Sequence, residues 1–74
     1  MARDLPLKTF AIILRGRFNR VENDYEKLRV EAYSEDHACY LATQEGIERR
    51  TIALAISITS PRYARFVEER KSGH

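Results

Sequence analysis

Three stretches of the chain alternate apolar and polar side chains with the two-residue period of a β-strand. From Lys8 to Phe18, the set Phe10, Ile12, Leu14 and Phe18 interleaves with Thr9, Ala11, Ile13, Arg15 and Arg17, and the first set is expected to face a core. Between Tyr25 and Ala32 the inward set is Leu28, Val30 and Ala32. The outward set is Tyr25, Lys27, Arg29 and Glu31, continued by Tyr33. The third stretch, Thr51 to Ile58, has the cleanest pattern, with Ile52, Leu54, Ile56 and Ile58 set against Thr51, Ala53, Ala55 and Ser57.

The polar run from Asn19 to Asp24 joins the first two stretches as a hairpin loop. Ser34 then has the chemistry of an N-cap, and Glu35 and Asp36 place negative charge where the helix dipole favours it. The spacing predicts a helix from about Glu35 to Glu45, with Ala38, Leu41 and Ala42 inward and Cys39 at their flank. Gly46 suits the left-handed position after the helix, and Ile47 the apolar contact that follows it. A strand–helix–strand unit crosses over right-handedly, which makes its two strands parallel. If the first strand lies between them, every neighbouring pair is antiparallel.

Ser60 and Pro61 open a second helix, from Pro61 to about Lys71. In it Tyr63, Phe66 and Val67 form one stripe, and Arg62, Arg65, Glu68 and Glu69 surround it. The expected fold class is α+β: a three-stranded antiparallel sheet, ββαβ with strand order 2-1-3, one packed helix and a short C-terminal helix. Residues 1–74 are read as one domain with loose ends at 1–6 and 72–74.

Composition narrows the function. A chain of 74 residues buries only about 60% of its unfolded surface, which argues against a deep enclosed active site. A hydrophobic content of 43% with three Gly and two Pro argues for a folded domain. Cys39 is the single cysteine, so no internal disulfide is expected, and the opening MARDLPLK lacks the apolar run of a signal peptide. Nothing approaches the roughly 20 apolar residues of a membrane span. A cytoplasmic protein without membrane contact is expected.

Catalysis finds little support. His37 and Cys39 stand two apart on a helix and point to different faces, and the only other His or Cys is terminal His74, so a zinc site lacks ligands. Cys39 reads as a small core residue. No nucleophile–base pair or paired carboxylate can be placed in a pocket, and Gly16 and Gly46 form no phosphate loop. A non-enzymatic protein with no cofactor and no metal is expected.

Charge enters through its placement. Thirteen basic residues against eleven acidic ones give +2, but ten of the basic residues are Arg, whose planar fork suits phosphates and aromatic stacking. One helix covers one face of a three-stranded sheet, so the other face is expected to be open. On it, Arg15, Arg17, Lys27 and Arg29 would meet phosphates while Tyr25 and Tyr33 stack on bases, the combination that binds RNA or single-stranded DNA. Arg20 lies at the same end as Arg17, and Arg49 and Arg50 would extend the basic surface around the rim.

Other readings stand beside this one. The cations can serve as a solvated face balanced by Asp24, Glu26 and Glu31, and Arg49 and Arg50 can complement a helix dipole. The Tyr63, Phe66 and Val67 stripe is of a size to close over Ile13, Ala53 and Ala55. It could equally dock on a second copy, giving a homodimer, or on a foreign protein. That last option is a protein-interaction module, a small accessory or regulatory factor of the kind mobile elements encode, with its Arg groups against an acidic protein surface.

The segments LRGRF, YEKLRVEA followed by YSEDHA, and ERRTIALAISI occur in the order found in the archaeal large-subunit ribosomal protein LX family, which the chain resembles over residues 10–58. The resemblance implies a ββαβ fold and contact with structured RNA through Arg15, Arg17, Arg49 and Arg50. That family is lysine-rich and more basic than this chain, and the segment after Ser60 has no counterpart in it.

Overall fold

The computed structural model describes residues 6–20 and 23–72. Its order is β1 (Lys8–Leu14), β2 (Tyr25–Ala32), α1 (Glu35–Gln44), β3 (Ile52–Ser57) and α2 (Pro61–Ser72). The strands form one antiparallel sheet in the order β2-β1-β3, so the expected α+β class and strand order are those of the structure. Of the ends expected to be loose, Ser72 closes α2 and Pro6 is exposed. Residues 1–5, 73 and 74, and Val21 and Glu22 of the hairpin loop, lie outside the described residues.

Local chemistry sets both ends of α1. The Ser34 hydroxyl accepts the His37 N–H at 3.1 Å. At the other end Gly46 adopts φ 95°, and Ile47 donates to Ala42 at 3.2 Å while Gly46 donates to Thr43 at 3.0 Å. These paired bonds satisfy carbonyls that the helix end would leave open. At the start of α2, the Ser60 hydroxyl accepts the Arg62 N–H at 3.1 Å.

Burial departs from the simple alternation. Five consecutive residues of β1, Phe10 to Leu14, are buried, because both faces of the sheet are covered. On one face Phe10, Ile12, Leu14, Ala32, Ile52 and Ala55 pack beneath Ala38 and Ala42 of α1. Alanines on both sides let the helix sit close to the strands. On the other face Ala11, Ile13 and Ile56 pack with Ala53, Leu54, Ile58, Tyr63 and Phe66. The sheet therefore has no open face: α2 closes over it.

Two register breaks explain the rest. β1 pairs Ile12 with Leu28 but Ile13 with Glu26, leaving Lys27 as an extra residue in β2. It also pairs Ile13 with Leu54 but Leu14 with Ile52, leaving Ala53 extra in β3. A bulge inverts the facing of every residue beyond it. Ile52, Leu54, Ile56 and Ile58, expected together beneath α1, are thus divided: Ile52 stays there, and the other three face α2. Ala55, expected on the open side, lies under α1 instead. Phe18 is not a core residue either, since β1 ends at Leu14 and Phe18 is 83% exposed.

Candidate nucleic-acid interface

The end of the sheet where β1 leaves and β2 and β3 begin gathers five of the chain's thirteen Lys and Arg residues. The Arg15 N–H donates to the Thr51 carbonyl at 2.9 Å, and Arg15 Nε lies 3.4 Å from the Arg50 carbonyl. Those contacts join the exit of β1 to the entry of β3 and bring two separate arginine runs side by side. Arg49, Arg50 and Thr51 form a 3-10 turn, held where the Thr51 hydroxyl donates to the Glu48 carbonyl at 2.6 Å.

The hairpin is equally tied down. The Gly16 N–H donates to Asp24 Oδ1 at 3.0 Å, the Asn23 side-chain amide to the Arg17 carbonyl at 3.0 Å, and the Asn23 N–H to the Arg20 carbonyl at 2.9 Å. The loop folds back so closely that a Cβ on Gly16 would overlap the Asn23 backbone. Within this loop Phe18 stands at φ 60°, ψ 19°, a left-handed conformation that a bulky residue adopts at a cost. Its ring is exposed at 83%.

Arg15, Arg17, Arg20, Arg49 and Arg50 therefore share one end of the molecule with Phe18. Tyr25 joins them, being paired with Leu14 and half exposed. Of the described carboxylates there, Asp24 accepts the Gly16 N–H and Glu48 meets Arg50 Nε at 2.9 Å. The guanidinium groups of Arg17 and Arg49 have no hydrogen bond or ion pair with the described residues. Forked donors beside an exposed ring can meet phosphate and base together.

The remaining residues expected on this surface lie elsewhere. Tyr33 follows the far end of β2, about 26 Å along the extended strand from Tyr25. It stacks on His37 with ring centres 5.4 Å apart, and its N–H donates to His37 Nδ1 at 3.1 Å. The two tyrosines cannot stack neighbouring bases. Lys27 is the exposed bulge residue. Arg29 faces α2, where its Nε meets Glu26 at 2.6 Å, one Nη donates to the Tyr63 hydroxyl at 2.9 Å, and its guanidinium lies 5.9 Å from the Tyr63 ring centre. The Glu26 carboxylate, by hydrogen bond and then by charge, raises the Arg29 pKa.

The C-terminal stripe is likewise turned inward. Tyr63 and Phe66 pack on this chain's own sheet, and Val67 is half-buried. The Tyr63 hydroxyl donates to Glu26 at 2.8 Å. Burial, followed by that hydrogen bond, pushes its pKa upward. Among the described residues no group of three or more His, Cys, Asp or Glu could hold a metal, and no helix is long and apolar enough to cross a membrane.

Strand alternation passed over Phe18 as part of the site. The signal was present in RGRFNR: a phenylalanine two residues beyond a glycine, among polar loop residues, is poorly placed to continue a strand. No family model, curated protein or solved structure matches the chain.

Proposed function

We propose that the protein is a non-enzymatic binding module that engages RNA or single-stranded DNA through the arginine-rich end of its sheet rather than through a sheet face. The observation that carries this reading is the gathering of Arg15, Arg17, Arg49 and Arg50 at the same end of the sheet as an exposed Phe18 held in a left-handed conformation. Arg17 and Arg49 take phosphates, and the Phe18 and Tyr25 rings stack on bases. The same four arginines are those implied by the ribosomal-protein resemblance. An acidic protein surface would also attract these cations, but it gives a solvent-facing phenylalanine no base to stack on, which favours nucleic acid. The protein is taken to act in the cytoplasm, in keeping with a lone free cysteine.

The test is fluorescence anisotropy of a labelled single-stranded RNA, titrated at several salt concentrations. Each lost phosphate contact flattens the salt dependence by about 0.7 in log–log slope, so Arg17→Ala with Arg49→Ala is expected to reduce the slope by about 1.4 while the thermal melt stays in place. Equal binding by variant and wild type, or no salt-dependent binding at all, overturns the proposal.

A further inference from the structure

The sheet has two outer strands, and they are protected differently. β2 carries Glu26, Lys27, Arg29 and Glu31 and a bulge at Lys27, charges and irregularity that discourage strand addition. β3 reads Ile-Ala-Leu-Ala-Ile-Ser and has no charged residue; its own bulge at Ala53 leaves Leu54 to Ser57 as the regular edge. Its neighbour in the sheet is β1. The Ile58 N–H donates to the Thr9 carbonyl at 3.0 Å, and backbone groups alternate sides along an antiparallel ladder. Ile58, Ile56 and Leu54 therefore direct theirs to β1, whereas Ala55 directs its N–H and C=O outward. The outward carbonyl of Ser57 accepts the Ser60 N–H at 2.9 Å, and no described segment pairs with the edge at Ala55.

Beside the edge lies a cleft of about 190 Å³ between α2 and the sheet, where Leu54, Ile56 and Phe66 meet Arg62, Arg65 and Glu69. Tyr63 leans the opposite way, across β1 to Glu26 and Arg29 of β2. The charged trio thus flanks α2 on the β3 side. Its side chains have no hydrogen bond or ion pair with the described residues.

We propose that β3 pairs antiparallel with β3 of a second copy about a two-fold axis at Ala55, joining two sheets into one of six strands. Such an axis, perpendicular to the sheet, keeps both α2 helices on one face and runs them antiparallel. Leu54 and Ile56 lie symmetrically about Ala55, and the part of α2 over them runs from Arg62 to Glu69 with its midpoint between Arg65 and Phe66. The same axis therefore sets Arg62 of each copy opposite Glu69 of the other, so the surface is complementary to itself. Exposed ion pairs add little affinity; here they select the register and reject slipped ones. Backbone pairing and closure of the apolar cleft supply the attraction. The arrangement is independent of nucleic-acid binding, because it leaves the two arginine-rich ends free at opposite corners of the joined sheet.

Sedimentation velocity on the full chain over a concentration series tests it, together with amide exchange. The expected species has twice the 8.6 kDa chain mass, and Ala55 amide exchange slows as the dimer fills. Arg62→Glu and Glu69→Arg each raise the dimer dissociation constant by more than about tenfold, since like charges then face each other. Combined in one chain, the two changes restore it, which also excludes misfolding as the cause. A monomer at every concentration, single variants that still dimerise, or Ala55 exchange that ignores concentration overturns the proposal.

Discussion

The Tyr63 hydroxyl donates to Glu26 at 2.8 Å, fastening the last helix of the chain to the strand farthest from β3 in the sheet. Arg29 completes the link by donating to both. From Pro61 to Glu69 no residue of α2 is fully buried, so this polar contact and the Phe66 ring set how firmly the helix stays down.

Removing the hydroxyl with Tyr63→Phe leaves the ring and the Glu26–Arg29 pair in place. A loss of roughly 0.5–1 kcal/mol is expected for one partly exposed hydrogen bond, read by chemical denaturation, with faster amide exchange in α2. Because the folded-state pKa of Tyr63 is raised above its usual 10.0, the contribution is complete below that value and is lost as pH rises through the folded pKa. Wild type should therefore lose stability above pH 10 more steeply than Tyr63→Phe; parallel curves would contradict the assignment.

Gly16→Ala tests the tightness of the hairpin. Its Cβ has nowhere to go beside the Asn23 backbone, so the loop must open and the Gly16–Asp24 bond stretch. A cost of about 1–3 kcal/mol is expected in thermal unfolding, together with weaker RNA binding as Arg17 and Phe18 lose their fixed placement. A variant as stable as wild type would show that the loop does not require this approach.

Phe18→Gly is expected to separate stability from binding. Glycine takes φ 60° without the roughly 1–2 kcal/mol that a left-handed conformation costs other residues, and an 83% exposed ring contributes little to the core. The melting temperature should hold or rise while RNA affinity falls by the equivalent of about 1–3 kcal/mol for one stacked base. A destabilised variant with unchanged affinity would reverse both parts.

The strands, helices and their caps were legible because each depends on neighbours a few positions away. Ser34, Gly46 and the Ser60–Pro61 pair carry their instructions locally. The facing of side chains was less so. Perfect alternation from Ile52 to Ile58 hides a bulge at Ala53, and nothing in that run of apolar residues marks where the phase slips. The slip answers a demand made elsewhere: β1 is apolar on both sides through Ala11 and Ile13 as well as Phe10 and Ile12, and each side needs large partners. Tyr25 and Tyr33 were assigned to one face for the same reason, and the Lys27 bulge together with the length of β2 separates them. The arginine-rich end was readable once the antiparallel order was known, because chain direction alone brings Arg17 and Arg49 to the same corner.

The two-sided burial of β1 bears on how the domain tolerates shortening. A chain cut after Ser60 would keep every strand and the first helix, yet it would present Ala11, Ile13, Leu54 and Ile56 to water as one continuous greasy plane. Such a fragment should come out of solution rather than persist as a smaller working domain, so α2 acts as a lid on insolubility.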